Sequence, residues 1–273
     1  VYPSFAGVSD LVFTTHDAPE LKSCDAVFLA VPHTAAMAQV PALLASGVSC
    51  FDLSADYRLN DASVFETWYA AEHTSPELLK TRAFGLPELF CRDLETAASD
   101  HADGKPVLVA CAGCYPTATS LAAAPAVRAG WVAENGPVIV DAISGVTGAG
   151  KSCNARTHFC SADENLEAYG VGKHRHTPEI EQILDLTDRV VFTPHLAPLK
   201  RGLLSTVTMP LAPQALDALA LEDVVDHYKK FYAGRSFVRV LDAGQQPKTA
   251  SVVGTNAAQI GLALNKRSEE HTS

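Results

Sequence analysis

No stretch of the chain is apolar for the length a membrane helix needs, and no signal-peptide pattern opens it. Basic residues are in short supply: 21 Lys and Arg stand against 31 Asp and Glu, a formal net charge of -10. That balance argues against a nucleic-acid surface, although a local basic site for a phosphorylated substrate stays compatible with it. The seven cysteines are odd in number and scattered, so reduced thiols and a cytoplasmic location are expected rather than a disulfide framework. Internal repeats and long low-complexity linkers are also lacking. What remains is a 273-residue globular composition, 47% hydrophobic, enough for two domains or one large α/β domain.

The rest of the chain is organised around residues 106–130, PVLVACAGCYPTATSLAAAPAVRAG. An apolar run ends in a small-residue turn carrying Cys114, and Pro116 then opens a helical stretch. Proline is favoured in a first helical turn because its missing N–H would be unpaired there anyway. Cys114 is therefore expected at a strand-to-helix junction, where unpaired N–H groups favour a thiolate. Such a setting can bring a cysteine from ~8.5 to roughly 3.5–7.5, as a nucleophile requires.

Upstream, residues 24–32 form an apolar run, residues 33–46 a helix pattern closed by Gly47, and residues 48–58 a second strand with a polar exit. This spacing predicts a βαβ unit with buried parallel strands. His33, Ser54 and Arg58 fall at strand carboxyl ends, where open α/β sheets bind ligands. Residues 61–105 read as helical and loop-rich, with FGLPE at 84–88 as a turn. After residue 137 the pattern changes to strands with longer connections, at 189–194, 203–209, 237–242 and 252–264, plus a helix at 216–231. That predicts an α+β region with a mixed or antiparallel sheet.

Three motifs compete for the chemistry. GVTGAGKS at 145–152 satisfies the phosphate-cradling pattern G-x-x-x-x-G-K-[ST], which alone would suggest a P-loop NTPase using Lys151 and magnesium. The segment after it lacks the apolar period of the helix that packs under a P-loop, and VRVLD at 238–242 is a poor magnesium strand. Cys111-Ala-Gly-Cys114 could be a redox pair or half a zinc site, but no second half with zinc spacing follows. Cys111 is read as a small buried residue, with a disulfide that would silence Cys114 as the second expectation. His174-Arg175-His176-Thr177-Pro178-Glu179 is dense in chemistry, with a helix start at Thr177-Pro178. A histidine paired with a cysteine supplies a general acid/base, which leaves a Cys-His hydrolase open, and arginine suits a carboxylate or phosphate. No third ligand ties the two histidines to a metal.

Taken together, FDLSADYRL (51–59), FGLPE, GCYPTA (113–118), SGVTGAGK (144–151), HRHTPEI (174–180), FTPHLAPLKRG (192–202) and VVGTNAAQIG (252–261) resemble the N-acetyl-gamma-glutamyl-phosphate reductase family of arginine biosynthesis. The motifs occur in the family's order. The resemblance implies an α/β fold: an incomplete Rossmann-like NADP-binding domain (1–113) and an α+β catalytic and dimerisation domain of the semialdehyde dehydrogenase type (114–266). It implies NADP(H) as cofactor, an acyl phosphate substrate with inorganic phosphate as product, and a homo-oligomer, dimer or tetramer. Cys114 would be the nucleophile and form a thioester; His174 would serve the developing oxyanion. Arg58, Tyr169, Arg175, His176, Glu179 and His195 would bind substrate, with Arg201 a further candidate. His33, Ser54, Ser144, Gly145 and Gly148 would bind cofactor, and no metal is implied. The same motifs resemble a carrier-linked aminoadipyl-phosphate reductase nearly as well, and aspartate semialdehyde dehydrogenase less well. The family's opening G-x-x-G-x-x-G turn and its final helix have no counterpart here, so a chain truncated at both ends is expected, one that binds NADPH poorly. Residues 267–273, RSEEHTS, are expected to be translated adapter sequence.

Overall fold

The computed structural model describes residues 3–150 and 152–265. The 267–273 tail and Lys151 lie outside the described residues.

The first half alternates strand and helix: β1 (Ala26–Leu29), α1 (Ala36–Ala45), β2 (Ser49–Asp52), α2 (Ala62–Tyr69), β3 (Ala83–Gly85), α3 (Cys91–Ala102) and β4 (Leu108–Cys111). The four strands pair in parallel in the order β1-β2-β4-β3. Gly47 turns the chain out of α1 at φ 84°, a conformation that suits glycine. The apolar face of α1 (Met37, Val40, Leu43) packs with Cys50, Tyr57, Phe65 and Ala110 into one core. The expected turn at 84–88 begins instead as an edge strand. β3 can pair with β4 because Gly85 lets the backbones close up; a Cβ there would sit 2.9 Å from the Cys111 Cα.

The second half starts with α4 (Cys114–Arg128) and β5 (Val138–Gly145). It continues through α5 (Phe159–Ala162), β6 (Glu167–Ala168), α6 (Thr177–Leu184), β7 (Val190–Ala197) and β8 (Leu203–Thr208), then α7 (Pro213–Ala218), α8 (Leu221–Phe231), β9 (Val238–Val240) and β10 (Ala258–Ile260). A mixed sheet runs β6-β7-β5-β8, with β5 and β7 parallel and the outer strands antiparallel; β9 and β10 pair separately. Alternate residues of β5 and β7 (Val138, Val140, Ala142, Phe192) pack against α4 and α6 in a second core. The alternate set leaves Ile139 and Val191 exposed.

Two elements differ from the sequence pattern. The helix expected over 216–231 is two helices, because Asp223 accepts the Ala220 N–H (3.2 Å) and starts α8 afresh. The strand expected over 252–264 shrinks to β10, because the chain turns through Gly254 at φ 82°.

Candidate active site

Cys114 is the first residue of α4, directly after β4 and an N-capping Gly113 in extended conformation. The junction is clamped from both sides. From α6, the Glu179 carboxylate accepts the Gly113 N–H at 2.8 Å. From the loop after β2, Arg58 donates through Nε to the Cys111 carbonyl and through Nη2 to the Leu53 carbonyl, each at 2.8 Å. Its Nη1 lies 3.6 Å from Glu179. Gln182 of α6 then donates to the Arg58 carbonyl at 3.0 Å and closes the ring. Glycine at 113 lets these side chains close in: a Cβ would lie 2.7 Å from His176 Nε2 and 3.0 Å from Arg58 Nη1.

Cys114 is an exposed residue, yet the surrounding protein displaces enough water to push its thiol above the ordinary value. The Tyr115 backbone N–H and the Arg58 charge oppose this without winning. The expectation of a lowered cysteine is thus corrected. One α4 terminal donor, the Gly113 N–H, is consumed by Glu179, whose own negative charge raises the thiol further. Glu179 is 1% exposed, and burial pushes its carboxyl up to about 7 against the pull of Arg58 and the Gly113 N–H.

His174 accepts the His176 backbone N–H at Nδ1 (3.1 Å). A neutral imidazole with Nδ1 accepting carries its proton on Nε2. Burial, helped by Arg175, pushes His174 down to about 4, so near neutrality the ring is an uncharged Nε2–H donor. Tyr115, Tyr169, His176 and Phe192 surround it with ring centroids 4.9–5.7 Å away. The Tyr115 and Tyr169 hydroxyls meet at 3.0 Å and both lie against Ser144. Both tyrosines also feel the Cys114 charge, and both meet the His174 ring edge-on. Burial drives His176 to about 2, and its Nδ1 has no partner among the described residues.

Two cavities open here. One, of about 590 Å³, is lined by His174, Tyr169, Arg156, Gly148 and Leu196. The other, of about 700 Å³, runs along the face of α4 bearing Cys114, Thr117 and Leu121, with residues 201–205 and 247–261 opposite.

The structure sorts the expected site residues. Cys114, His174, Tyr169 and Gly148 face these cavities. Arg58 and Glu179 are buried and bonded to the backbone around Cys114, Arg58 to the Cys111 carbonyl and Glu179 to the Gly113 N–H. Ser54 is likewise engaged within the protein: its hydroxyl donates to Asp52 (3.0 Å) and accepts the Asp56 N–H (3.1 Å). Ser144 braces the tyrosine pair, and Gly145 is packed against the Leu199 carbonyl and Arg201. His195 stays on the sheet, with Nδ1 3.4 Å from the Ala142 carbonyl. His176 is buried between His174 and Gly113. His33 and Arg175 meet at Tyr69, the histidine ring 5.3 Å and the guanidinium 5.1 Å from it. Cys111 and Cys114 are both free thiols. After the phosphate-loop match at 145–152 comes a loop and then the four-residue α5, not the long helix a P-loop packs on. Lys248, on the wall facing Cys114, was missed from sequence; its nearest signal is the VVGTNAAQIG segment that starts four residues later.

Both halves of the chain are similar to known proteins. Residues 1–97 match the family described as "Semialdehyde dehydrogenase, NAD binding domain", and residues 114–272 match "Semialdehyde dehydrogenase, dimerisation domain". N-acetyl-gamma-glutamyl-phosphate reductases of Symbiobacterium thermophilum and Syntrophobacter fumaroxidans are each 44% identical over 98% of this chain and 74% of their own length. Aspartate semialdehyde dehydrogenase II from Vibrio cholerae shares the fold at a TM-score of 0.62 and 13% identity, over 88% of this chain and 70% of that one. A probable aspartate-semialdehyde dehydrogenase from Pseudomonas aeruginosa does so at 0.59 and 16% identity, with the same coverage.

Proposed function

Since the chain belongs to the N-acetyl-gamma-glutamyl-phosphate reductase family, with its semialdehyde dehydrogenase fold, we propose that Cys114 is the nucleophile of an NADP(H)-dependent reduction of N-acetylglutamyl 5-phosphate to the 5-semialdehyde and inorganic phosphate. The observation that carries this reading is the seating of Cys114 at the start of α4, clamped from below and open to a cavity of about 700 Å³.

The Cys114 sulfur attacks the acyl carbon, and phosphate departs with the electron pair of the broken C–O bond. The thioester left on Cys114 is easier to reduce than a carboxylate. When bound, NADPH supplies the hydride for that carbonyl carbon. His174, as a neutral Nε2–H donor, is suited to the oxyanion that forms at both stages. Collapse of the tetrahedral species then expels the Cys114 thiolate and frees the aldehyde. Because the resting thiol is raised, it must lose a proton before attack, and an exposed Cys114 can pass that proton to water.

The described residues fit the reactive end of the cofactor better than its phosphates. The carboxyl ends of the parallel strands open beside Cys114, where His33 is exposed, and Gly148 lines the His174 cavity. By contrast, the Thr34 and Met37 N–H groups at the start of α1 already donate to Asp56, at 2.7 and 3.0 Å, and offer a phosphate nothing. His33 and Gly148 are therefore the residues assigned to the cofactor.

The reading includes a division near residue 113, supported by the two family matches and by the two separate cores. It includes a homo-oligomer, supported by the dimerisation-domain match and by exposed Ile139 and Val191 on the open sheet face. No helix among the described residues is long and apolar enough to cross a membrane; a cytoplasmic location is part of the proposal. The test is phosphate-dependent reduction of NADP⁺ with N-acetylglutamate semialdehyde. Activity that disappears in Cys114→Ser is expected; an equally active Cys114→Ser protein defeats the reading.

A further inference from the structure

Outside both cavities, one side chain ties the two halves of the chain together next to the nucleophile. Gln182 lies on α6 of the second half, and its carboxamide meets the loop after β2, 122 and 124 residues earlier in the chain. Its Oε1 accepts the Asn60 N–H at 2.6 Å, and its Nε2 donates to the Arg58 carbonyl at 3.0 Å. The two partners also fix the amide's orientation, since a backbone N–H needs the oxygen and a carbonyl needs the NH2 group. A carboxamide paired with a C=O and an N–H two residues apart holds that backbone at two points. Arg82 supports the same loop from the first half. Its guanidinium donates to the Tyr57 and Arg58 carbonyls at 2.5 and 3.0 Å and to Asn60 Oδ1 at 2.6 Å.

The position of Gln182 on α6 gives the contact its meaning. Gln182 follows Glu179 by three residues, so both project from one face of the helix. Glu179 accepts the N–H of Gly113, the residue before the nucleophile. Gln182 holds the backbone of Arg58, whose Nε holds the Cys111 carbonyl. The turn before Cys114 is thus gripped by Arg58 and Glu179, and Gln182 ties the backbone of the first to the helix of the second. At 3.6 Å the Arg58–Glu179 pair is longer than a charge-assisted hydrogen bond, so it does not set this register by itself. His174 stands three residues before the first residue of α6, so the same helix carries it.

We infer that Gln182 is a positioning residue, which registers α6 against the Arg58 loop and thereby keeps Arg58 beside Cys114 and His174 in line with it. Gln182 lines neither cavity and acts through Arg58 and α6. The inference rests on the reductase reading for the reaction whose rate it affects, but not for the effect on the thiol. Arg58 pulls the Cys114 thiol down, against burial and the Glu179 charge, which push it up. Tyr115 and Tyr169 also face Cys114, and Arg201 and Lys248 line its cavity; none of the four is a hydrogen-bond partner of Gln182 among the described residues. Glu179 titrates at about 7, below the range of the raised thiol, and so is charged while the thiol titrates. An Arg58 loop freed from α6 therefore leaves the thiol higher still.

Alkylation of Cys114 by iodoacetamide, followed against pH by mass spectrometry, reads that change without requiring turnover. Gln182→Met keeps the length of the side chain and removes both hydrogen bonds. It is expected to move the midpoint of the alkylation profile up by about 1 pH unit. It is also expected to lower kcat for phosphate-dependent reduction of NADP⁺ about tenfold or more, with KM for the semialdehyde within about twofold of the wild type. In an Arg58→Gln background the same substitution is expected to move the midpoint no further, because Gln182 acts on the thiol through Arg58. Arg128→Met supplies the contrast: Arg128 also bridges the halves, donating to the Leu89 carbonyl at 3.4 Å, and its loss is expected to leave the midpoint alone. Gln182→Asn, one methylene too short to reach both partners, is expected to reproduce Gln182→Met and keeps the test independent of one variant's folding. A wild-type midpoint in both Gln182 variants overturns the inference. So does a shift that is equally large in the Arg58→Gln background or in Arg128→Met. These outcomes leave the reductase reading standing, whereas a wild-type protein that does not reduce NADP⁺ defeats that reading and leaves the alkylation profiles to be compared as before.

Discussion

Two polar regions flank Cys114, and they treat their charges in opposite ways. In the loop after β2, polar groups are matched within the protein: Ser54 to Asp52 and Asp56, Asp56 to the start of α1, and Arg58 to two carbonyls and Glu179. Across the cavity, Arg201 and Lys248 are among the lining residues, with no ion-pair or hydrogen-bond partner among the described residues. A buried polar group must be satisfied at folding, so the first region is scaffold. A charge left solvated and unpaired retains its interactions for a ligand. The chemistry of residue types does not separate the two regions, since both hold arginine and hydroxyl groups; the state of their hydrogen bonds does.

Substitutions can break this contrast. His174 belongs to the facing side, and His174→Asn is expected to lower kcat by about 10²–10⁴ while Cys114 still reacts with iodoacetamide near the wild-type rate. That split follows from Nε2 being a donor; a parallel loss of alkylation would make His174 the base for the thiol instead.

Glu179 belongs to the scaffold side, and burial disfavours its charged form. Its folded carboxyl holds a proton up to about 7, against an ordinary value of 4.5. In that window the folded state binds the extra proton, so stability falls as pH rises from 4.5 towards 7 and levels off above. Glu179→Gln keeps an acceptor for the Gly113 N–H and removes the titration. Its stability relative to the wild type is expected to rise across that window by on the order of 3 kcal/mol. Parallel curves of Tm against pH for the two proteins would refute this.

The smallest effect is expected at Ser54. Ser54→Ala loses one hydroxyl that links Asp52 to Asp56, which costs about 1 kcal/mol, with KM for NADP⁺ unchanged. A rise in that KM without loss of stability would return Ser54 to the cofactor site.

Much of the scaffold was legible because its signals are local. The apolar runs flanking the α1 pattern, Gly47, and the Thr177-Pro178 helix start each act within a few residues, and the structure contains β1, α1, β2 and α6 where they point. Cys114 at a strand-to-helix junction followed from the apolar run before it, the small-residue turn and Pro116. The thiol's raised value was not legible, because the Glu179 that takes the Gly113 N–H is 66 residues away in the chain. The same holds for Arg58, whose partner Cys111 is 53 residues distant. The split between α7 and α8 escaped notice because the apolar period runs on past the Asp223 cap. Lys248 carries no motif at all; it joins the site through the Gly202–Thr249 approach.

The central claim is that Cys114 itself becomes acylated, and the mass of the protein reads this directly. The protein is incubated with N-acetylglutamyl 5-phosphate without NADPH, quenched in acid and digested. The account predicts an N-acetylglutamyl group on Cys114, released phosphate in matching amount, and neither in Cys114→Ser. Phosphate release with no adduct on Cys114, or an adduct on another cysteine, would contradict it.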